Sequence, residues 1–228
     1  MSYFKSCCYS IRLTEKLKSL DTKNVLDFEL INKAIYWARK YHGDQKRKSG
    51  EPYYSHPLEV AYMISEYKLK TDVIVASILH DIIEDTEVTV GMIFDNFGQR
   101  IAQMVDRLTR DRPDGTKLSV EQILNNAYEN TDKEVMLIKL IDRMHNMETI
   151  TALKADKRVQ TSKETLIHFI IIAIYLSISQ VRRRFIELCY DGLNITQTAS
   201  SKSQLLSQDN SPLLSPAFQN VLFQIRNQ

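Results

Sequence analysis

Hydrophobic residues recur at helical spacing along most of the chain. One such segment begins at Asp27 and ends at Gly43, a residue type that commonly terminates helices. Thr89 can cap a second segment that continues to Arg110, and Thr131–Glu134 has the form of a capping box before a third. No stretch alternates apolar and polar residues as a half-buried strand would, and no internal repeat is present. The pattern therefore predicts an all-α fold.

The segment from Thr71 to Thr86, TDVIVASILHDIIEDT, is apolar on all sides, which predicts a central, buried helix. Four polar residues interrupt it: His80, Asp81, Glu84 and Asp85. On a continuous helix, one face would carry an imidazole and three carboxylates. Buried charge is costly unless it is paired or bound to a metal. A hydrogen-bonded polar cluster that joins helices is the alternative to a metal site.

Two further residues extend this pattern. His56 stands in SHPLEV, just ahead of an apolar helix, and Asp142 stands in KLIDRMHNMET, on another. With His80 and Asp81 they give the order H…HD…D, a mixed nitrogen and oxygen set that suits Mn, Fe or Zn better than an all-oxygen magnesium site. His145 is predicted to lie outside the ligand set. The order resembles that of the HD-domain phosphohydrolases, so we expect an HD-domain helical bundle with a buried metal site.

A polar loop, GDQKRKSGEPYYSHP, begins where the first helical segment ends, at Gly43, and holds Lys46, Arg47 and Lys48. Three consecutive basic residues are also typical of a solvated loop. Beside a metal, however, a basic loop suits a phosphate-rich substrate, because guanidinium can bind phosphate through two hydrogen bonds and can stack on a base.

Composition narrows the range of functions. The 228 residues fit one domain, or one domain with tails, and a net charge of +2 argues against a dedicated nucleic-acid binder. Three cysteines form no disulfide framework, and the N-terminus lacks the apolar core of a signal peptide, so we expect a cytoplasmic protein. The apolar run Leu166–Leu176 is much shorter than the roughly 20 residues that span a bilayer, which predicts a core helix and no transmembrane segment.

These observations divide the chain into three parts. Residues 1–26 are predicted to be a short leader or a fraying helix, and residues 27–191 the HD-type phosphohydrolase domain. Residues 192–228 are rich in Ser, Gln and Asn and are predicted to be a flexible tail.

Three separated motifs carry a closer resemblance: HGDQKRKSGEPYYSHPLEVA, ILHDIIEDT and IKLIDRMHNMET. In this order they resemble the hydrolase domain of the RelA/SpoT alarmone enzymes of the stringent response and the small stand-alone alarmone hydrolases. The resemblance implies removal of the 3′-diphosphate of ppGpp or pppGpp, which gives GDP or GTP and pyrophosphate. The partner it implies is a small-molecule nucleotide.

The resemblance also implies roles for individual residues. It implies a manganese ion held by His56, His80, Asp81 and Asp142. It makes Glu84 and Asp85 the catalytic acidic pair. It matches Arg47 to the arginine that packs on guanine, Lys48 and Ser49 to the nucleotide-binding loop, and Asn146 and Thr149 to residues near the ribose and phosphates. Lys46 would add positive charge beside the phosphates.

The chain departs from the family in three respects. Glu148 stands where the family motif HNMRT has arginine, which replaces a positive by a negative charge near the rim of the site. The sequence after Thr149 diverges. The 228 residues also leave no room for the synthetase domain of the long family enzymes, so synthesis of the alarmone is not expected.

Two alternatives to alarmone hydrolysis stay open at this point. One is hydrolysis of another phosphorylated nucleotide, such as NADPH, because stand-alone relatives need not share one substrate. The other is a catalytically weak alarmone-binding regulator, which Glu148 and the diverged C-terminal half would support. The intact Glu84-Asp85 pair argues against a pure binder, which has no need for a water-activating acid pair.

Overall fold

The computed structural model describes residues 7–68, 70–111 and 115–193. Within these ranges the regular secondary structure is helical and no strand is formed, apart from two isolated bridges, so the all-α prediction is confirmed. The chain forms two compact units, Met1–His145 and Asn146–Gln228. The predicted boundaries after residues 26 and 191 stay predictions, and the predicted tail lies, from residue 194 onwards, outside the described residues.

The first unit contains eight helices and most of a ninth among the described residues. They are α1 (Cys8–Leu20), α2 (Phe28–His42), α3 (Ser55–Ile64), α4 (Thr71–Leu79), α5 (Ile82–Asp85), α6 (Val90–Phe97), α7 (Gln99–Leu108), α8 (Val120–Glu129) and α9 (Lys133–Glu148), whose last turn belongs to the second unit. The division between the units falls inside α9, where no break in the hydrophobic pattern marks it.

Helix α4 is the centre of the first unit. All seven residues from Val73 to Leu79 are buried, and the helix packs against α2, α3 and α7. The prediction of one helix from Thr71 to Thr86 is wrong, because α4 ends at Leu79 and α5 begins at Ile82. The ring of His80 is responsible: its Nδ1 lies 2.8 Å from the carbonyl oxygen of Ser77, which would accept the N–H of Asp81 in a continuing helix.

Two other helix boundaries also differ from the predicted ones. The segment capped by Thr89 is split into α6 and α7 at Gly98, whose φ of +84° is a conformation that glycine adopts readily. At the start of α9 the cap is Asp132, whose Oδ1 accepts the N–H of Val135 at 3.2 Å, rather than Thr131. At Gly98 the hydrophobic period is correct and the backbone breaks between residues of the same stripe, whereas the cap of α9 is displaced by one residue.

Helix α1 packs on α3, although its sequence predicts a leader or a fraying helix. Leu13 and Leu17 are fully buried. Arg12 and Lys16 pair with Glu59 and Glu66 and lie over the ring of Tyr62, 4.1 and 3.8 Å from its centroid. The residues ahead of Asp27 therefore supply part of the core of the first unit.

The second unit is made of α10 (Ala155–Glu164), a π-helical segment (Thr165–Phe169), α11 (Ile170–Tyr175) and α12 (Ser179–Gly192), preceded by a 3-10 turn (Ile150–Ala152). The apolar run from Leu166 packs inward through residues that include Phe169, which contacts Phe185 edge-on. None of the described helices is long and apolar enough to cross a membrane.

We predict that Leu17→Ala lowers the free energy of unfolding of the first unit by about 2–5 kcal/mol, because it opens a cavity between α1 and α3. Ile11→Ala is the matched control, since Ile11 is 45% exposed on the same helix and should change stability by less than about 0.5 kcal/mol. Trp37, the single tryptophan, is buried in this unit, so its fluorescence in urea titrations reports the transition. Equal stabilities of the two variants would mean that α1 is not part of the folded core.

Candidate metal centre

The four predicted metal ligands meet in the interior of the first unit. His56 lies in the first turn of α3, and His80 and Asp81 form the turn between α4 and α5. Asp142 comes from α9. Both histidines are at least 98% buried, and each carboxylate keeps less than a fifth of its side chain exposed. Residues far apart in sequence thus converge on one small space: α3 packs against α4, and Asp142 of α9 reaches both histidines.

Ring nitrogens and carboxylate oxygens face one another across this space. Nε2 of His56 lies 3.1 Å from Oδ1 of Asp142 and 3.5 Å from Oδ2 of Asp81. Nε2 of His80 lies 3.1 Å from Oδ2 of Asp81 and 3.7 Å from Oδ1 of Asp142. One ligand atom from each of His56, His80 and Asp142 lies within 4.8 Å of the others. Asp81 lies outside this group of three, although its Oδ2 is close to Nε2 of both histidines.

The tautomer of His80 fits a bound cation. Because the carbonyl of Ser77 can only accept, Nδ1 of His80 must donate to it, and in the neutral ring Nε2 then carries a lone pair. This Nε2 is buried and makes no hydrogen bond of acceptable geometry, even though Asp81 Oδ2 is close by. A divalent metal ion that displaced the Nε2 proton would meet a nitrogen lone pair directed at carboxylate oxygens, as a metal ligand requires.

The electrostatics of the cluster favour positive charge at the same point. Burial alone would lower the pKa of His80, but the charges of Asp81 and Asp142 outweigh it and raise that pKa to about 10. Burial alone would raise the pKa of both carboxyls, yet the histidines hold both well below their ordinary range. The cluster therefore keeps its carboxylates charged and attracts a cation.

The predicted acid pair lies on α5, beside the cluster. Oε1 of Glu84 accepts the backbone N–H of Arg110 at 2.6 Å, and partial burial raises the pKa of this carboxyl. Oδ2 of Asp85 accepts the hydroxyl of Tyr53 at 2.6 Å. The same hydroxyl lies 3.5 Å from Oδ2 of Asp81. Each acid is thus fixed through one oxygen by a donor from a different loop.

Several residues around the acid pair were not among the predicted ones. Tyr53 stacks on the buried ring of His42 with 4.8 Å between centroids, and burial lowers the pKa of His42. Gln45 links His42 to Asp85. Its Oε1 lies 3.1 Å from Nδ1 of His42, and its Nε2 donates to the carbonyl of Asp85 at 2.9 Å. Of these three residues only His42 is buried, and a polar residue at the end of an apolar helix is a common cap, so the sequence gives little signal for them.

A buried lysine was also missed. Lys139 lies one turn before Asp142 on α9 and is only 7% exposed, with Nζ 3.9 Å from Oδ2 of Asp142. The sequence IKLIDRM offers a signal, because this is a charged residue in an otherwise apolar helix segment. Its ammonium group balances part of the negative charge of the cluster.

The basic loop between α2 and α3 is held by its own backbone. Arg47 N–H donates to the carbonyl of Glu51 at 2.9 Å, and Gly50 N–H donates to the carbonyl of Arg47 at 2.9 Å. Gly50 has a φ of +90°, a conformation that favours glycine. Three of the predicted substrate-binding residues are exposed on this loop: Lys46, Lys48 and Ser49.

The side chain of Arg47, on the same loop, points towards the cluster of predicted metal ligands. Its Nη1 lies 3.4 Å from Nδ1 of His145, and the same Nδ1 lies 2.8 Å from Nδ1 of His56. Burial, together with the charges of His56 and Arg47, lowers the pKa of His145 to about 3, so this ring is neutral at pH 7. His145 therefore contacts a predicted metal ligand, His56. This agrees with the prediction that His145 is not itself a ligand.

The remaining predicted residues belong to the second unit. Asn146 lies in the last turn of α9, and Thr149 follows it, with its hydroxyl donating to the carbonyl of Asn146 at 3.4 Å. Both are partly buried, whereas Glu148 is exposed. Their roles at the substrate stay predictions.

Comparison with known proteins places this geometry in context. A family model described as the HD domain matches residues 34–176, more than half of the chain. The chain is 36% identical over 170 residues to the GTP pyrophosphokinase rsh of Brucella ovis, which covers 72% of this chain and 23% of that protein. It is also 36% identical over 162 residues to the guanosine-3′,5′-bis(diphosphate) 3′-pyrophosphohydrolase of Aquifex aeolicus, over 68% of this chain and 23% of that protein. The chain thus spans less than a quarter of the length of either relative.

A solved structure has a related fold. It is a metazoan ortholog of SpoT, described as hydrolysing ppGpp and playing a role in starvation responses. The alignment has a TM-score of 0.53 and 21% identity and covers 72% of this chain and 96% of that chain. At this level of identity the likeness shows the fold alone.

We predict that Asp142→Asn abolishes stable binding of a divalent metal ion, with Mn²⁺ as the probe, because the amide keeps the shape of the side chain but removes the charge that would hold a cation. Metal retained after loading and desalting, measured by elemental analysis, should fall to background. Asp95→Asn is the control, since Asp95 is exposed on α6. Retention of Mn²⁺ by Asp142→Asn at the wild-type level would contradict the site.

Proposed function

We propose that this chain, which belongs to the HD-domain family, is a metal-dependent hydrolase that releases pyrophosphate from the 3′-diphosphate of ppGpp and pppGpp. The observation that carries the proposal is the buried cluster of two imidazoles and two carboxylates with an acid pair one turn away. The similarity to a protein named guanosine-3′,5′-bis(diphosphate) 3′-pyrophosphohydrolase supports the choice of substrate. A cytoplasmic location and the absence of nucleic-acid partners are part of the same proposal.

The proposed cofactor is Mn²⁺, held by His56, His80, Asp81 and Asp142. Mixed imidazole and carboxylate ligands support a transition metal of this kind over Mg²⁺. A divalent ion bound there would polarise a phosphoryl oxygen and lower the pKa of bound water towards neutrality.

Glu84 and Asp85 are the proposed catalytic carboxylates. Glu84 is held by the N–H of Arg110 through one oxygen, which leaves the other to orient a water molecule and accept its proton. The pKa of Glu84 is raised by burial, and a carboxylate with a raised pKa is a better proton acceptor at neutral pH. Asp85 is kept in place by Tyr53, so that its carboxylate is pre-positioned beside the cluster.

The basic loop is the proposed binding element for the nucleotide. Arg47 would stack on the guanine base, and Lys46, Lys48 and Ser49 are exposed on the loop, where they can reach phosphate oxygens. Asn146 and Thr149 complete the proposed set near the ribose and phosphates. The loop ends at the N-terminus of α3, just before the proposed ligand His56. The residues proposed to bind the nucleotide are therefore close in sequence to a proposed metal ligand.

The acid pair favours an enzyme over the alternative of a regulatory binding module. Both carboxylates are fixed by specific donors beside the cluster, which is the arrangement that proton transfer requires and that nucleotide binding alone does not. Hydrolysis of another phosphorylated nucleotide, NADPH included, differs from the main proposal only in the substrate.

We predict Mn²⁺-dependent release of pyrophosphate from ppGpp by the wild-type protein and its loss in chelator. Glu84→Gln with Asp85→Asn should lower the rate by about 10²–10⁴-fold, because the amides cannot accept a proton. The double variant should still bind Mn²⁺, which elemental analysis can verify. Metal-loaded wild-type protein that leaves ppGpp intact would refute the substrate, and release of phosphate from NADPH in a substrate panel would then favour the second nucleotide.

We further predict that Tyr53→Phe lowers kcat for ppGpp by about 10- to 100-fold, since a hydrogen bond to a charged group is worth about 1.5–3 kcal/mol. Mn²⁺ binding should be retained, because Tyr53 is not a proposed ligand. Tyr62→Phe is the control, since Tyr62 packs under Arg12 on the α1 side of α3. Steady-state kinetics that show equal kcat for the two variants would mean that Tyr53 does not position Asp85.

A further inference from the structure

Three nitrogen atoms connect the basic loop to the cluster of proposed metal ligands. Nη1 of Arg47 lies 3.4 Å from Nδ1 of His145, and that Nδ1 lies 2.8 Å from Nδ1 of His56. The imidazole rings of His145 and His56 are 4.9 Å apart at their centroids. The other nitrogen of His56, Nε2, faces Asp142 Oδ1 at 3.1 Å. A residue proposed to bind the nucleotide base is thus two hydrogen bonds from a proposed metal ligand.

The chemistry of the three groups fixes where the protons are. A guanidinium group only donates, so Nδ1 of His145 must present a lone pair to Arg47. Because that nitrogen carries no proton, Nδ1 of His56 must donate the hydrogen bond between the two rings. A neutral His56 with its proton on Nδ1 has its lone pair on Nε2, the nitrogen that faces the carboxylates. This is the tautomer that can bind a metal ion.

We propose that Arg47, acting through His145, holds His56 in the tautomer that binds the metal, so that both are positioning residues for the metal centre. The inference rests on the metal-binding part of the proposed function and on no property of the nucleotide. It gives Arg47 a role in the absence of substrate, beside its proposed contact with the base. It also explains why a neutral histidine lies between a cationic side chain and a metal ligand.

A simple charge effect predicts the opposite behaviour of Arg47. A guanidinium group near a cation site repels the cation, so removal of its charge should tighten metal binding. If Arg47 acts through the tautomer of His56, its removal should weaken metal binding. The sign of the change therefore separates the two explanations.

The experiment is calorimetric titration of the metal-free 228-residue chain with Mn²⁺ in the absence of nucleotide. We expect His145→Leu to weaken binding by about 10–100-fold, as is typical for loss of the hydrogen-bond partner of a metal ligand. His145→Asn should restore most of the affinity, because its amide oxygen can accept at the position of Nδ1. Arg47→Met should weaken binding by a smaller factor, and it should have no further effect when combined with His145→Leu.

Arg12→Met is the control, because it makes the same change on α1, where Arg12 pairs with Glu59. It should leave the affinity for Mn²⁺ unchanged. Unchanged or tighter binding by Arg47→Met would overturn the inference, as would equal losses in His145→Asn and His145→Leu. Absence of Mn²⁺ binding by the wild-type protein would overturn the metal centre itself, and failure to hydrolyse ppGpp would bear on the substrate alone.

Discussion

In the first unit, the Nε2 atoms of His56 and His80 face one carboxylate oxygen each of Asp81 and Asp142 in a buried space. The helices and turns around this space hold the four side chains in place. In His80 the hydrogen bond to Ser77 occupies Nδ1, and Nε2 lies 3.1 Å from Oδ2 of Asp81. A lone pair on Nε2 would repel this oxygen, so positive charge is favoured between the two atoms. The raised pKa of His80 and the low pKa of both carboxyls have this cause. The proton on Nε2 supplies the charge, and a bound divalent ion would supply it in place of the proton.

The break between α4 and α5 lies within this cluster, since His80 follows α4 directly and Asp81 directly precedes α5. The turn that ends α4 lets both side chains reach one point, while the apolar length of α4 anchors the turn in the core. Apolar packing of α4 therefore holds the turn in place, and the contact of His80 with the carbonyl of Ser77 orients the imidazole ring.

The sequence predicted the helical fold and the residues that converge, because apolar periodicity and the order H…HD…D are properties of the chain itself. It predicted neither the break at His80 nor the packing of α1, since periodicity records the direction that a side chain faces and not where the backbone turns. The contacts of Tyr53 and His145 were equally out of reach, because each depends on how two distant segments approach. Lys139 pairs with Asp142 within α9, and a charged residue in an apolar helix segment was its only signal.

The acid pair is positioned by a different part of the molecule from the metal ligands. The ligands are fixed by helices whose faces are buried, whereas Glu84 is fixed by the loop after α7 and Asp85 by the loop before α3. A change in either loop can therefore move one carboxylate without disturbing the cluster. Arg47 is the exception, because it lies on a loop and yet contacts the partner of a ligand. If the tautomer of His56 depends on that contact, the loop proposed to bind the nucleotide also determines whether the proposed metal ion is held.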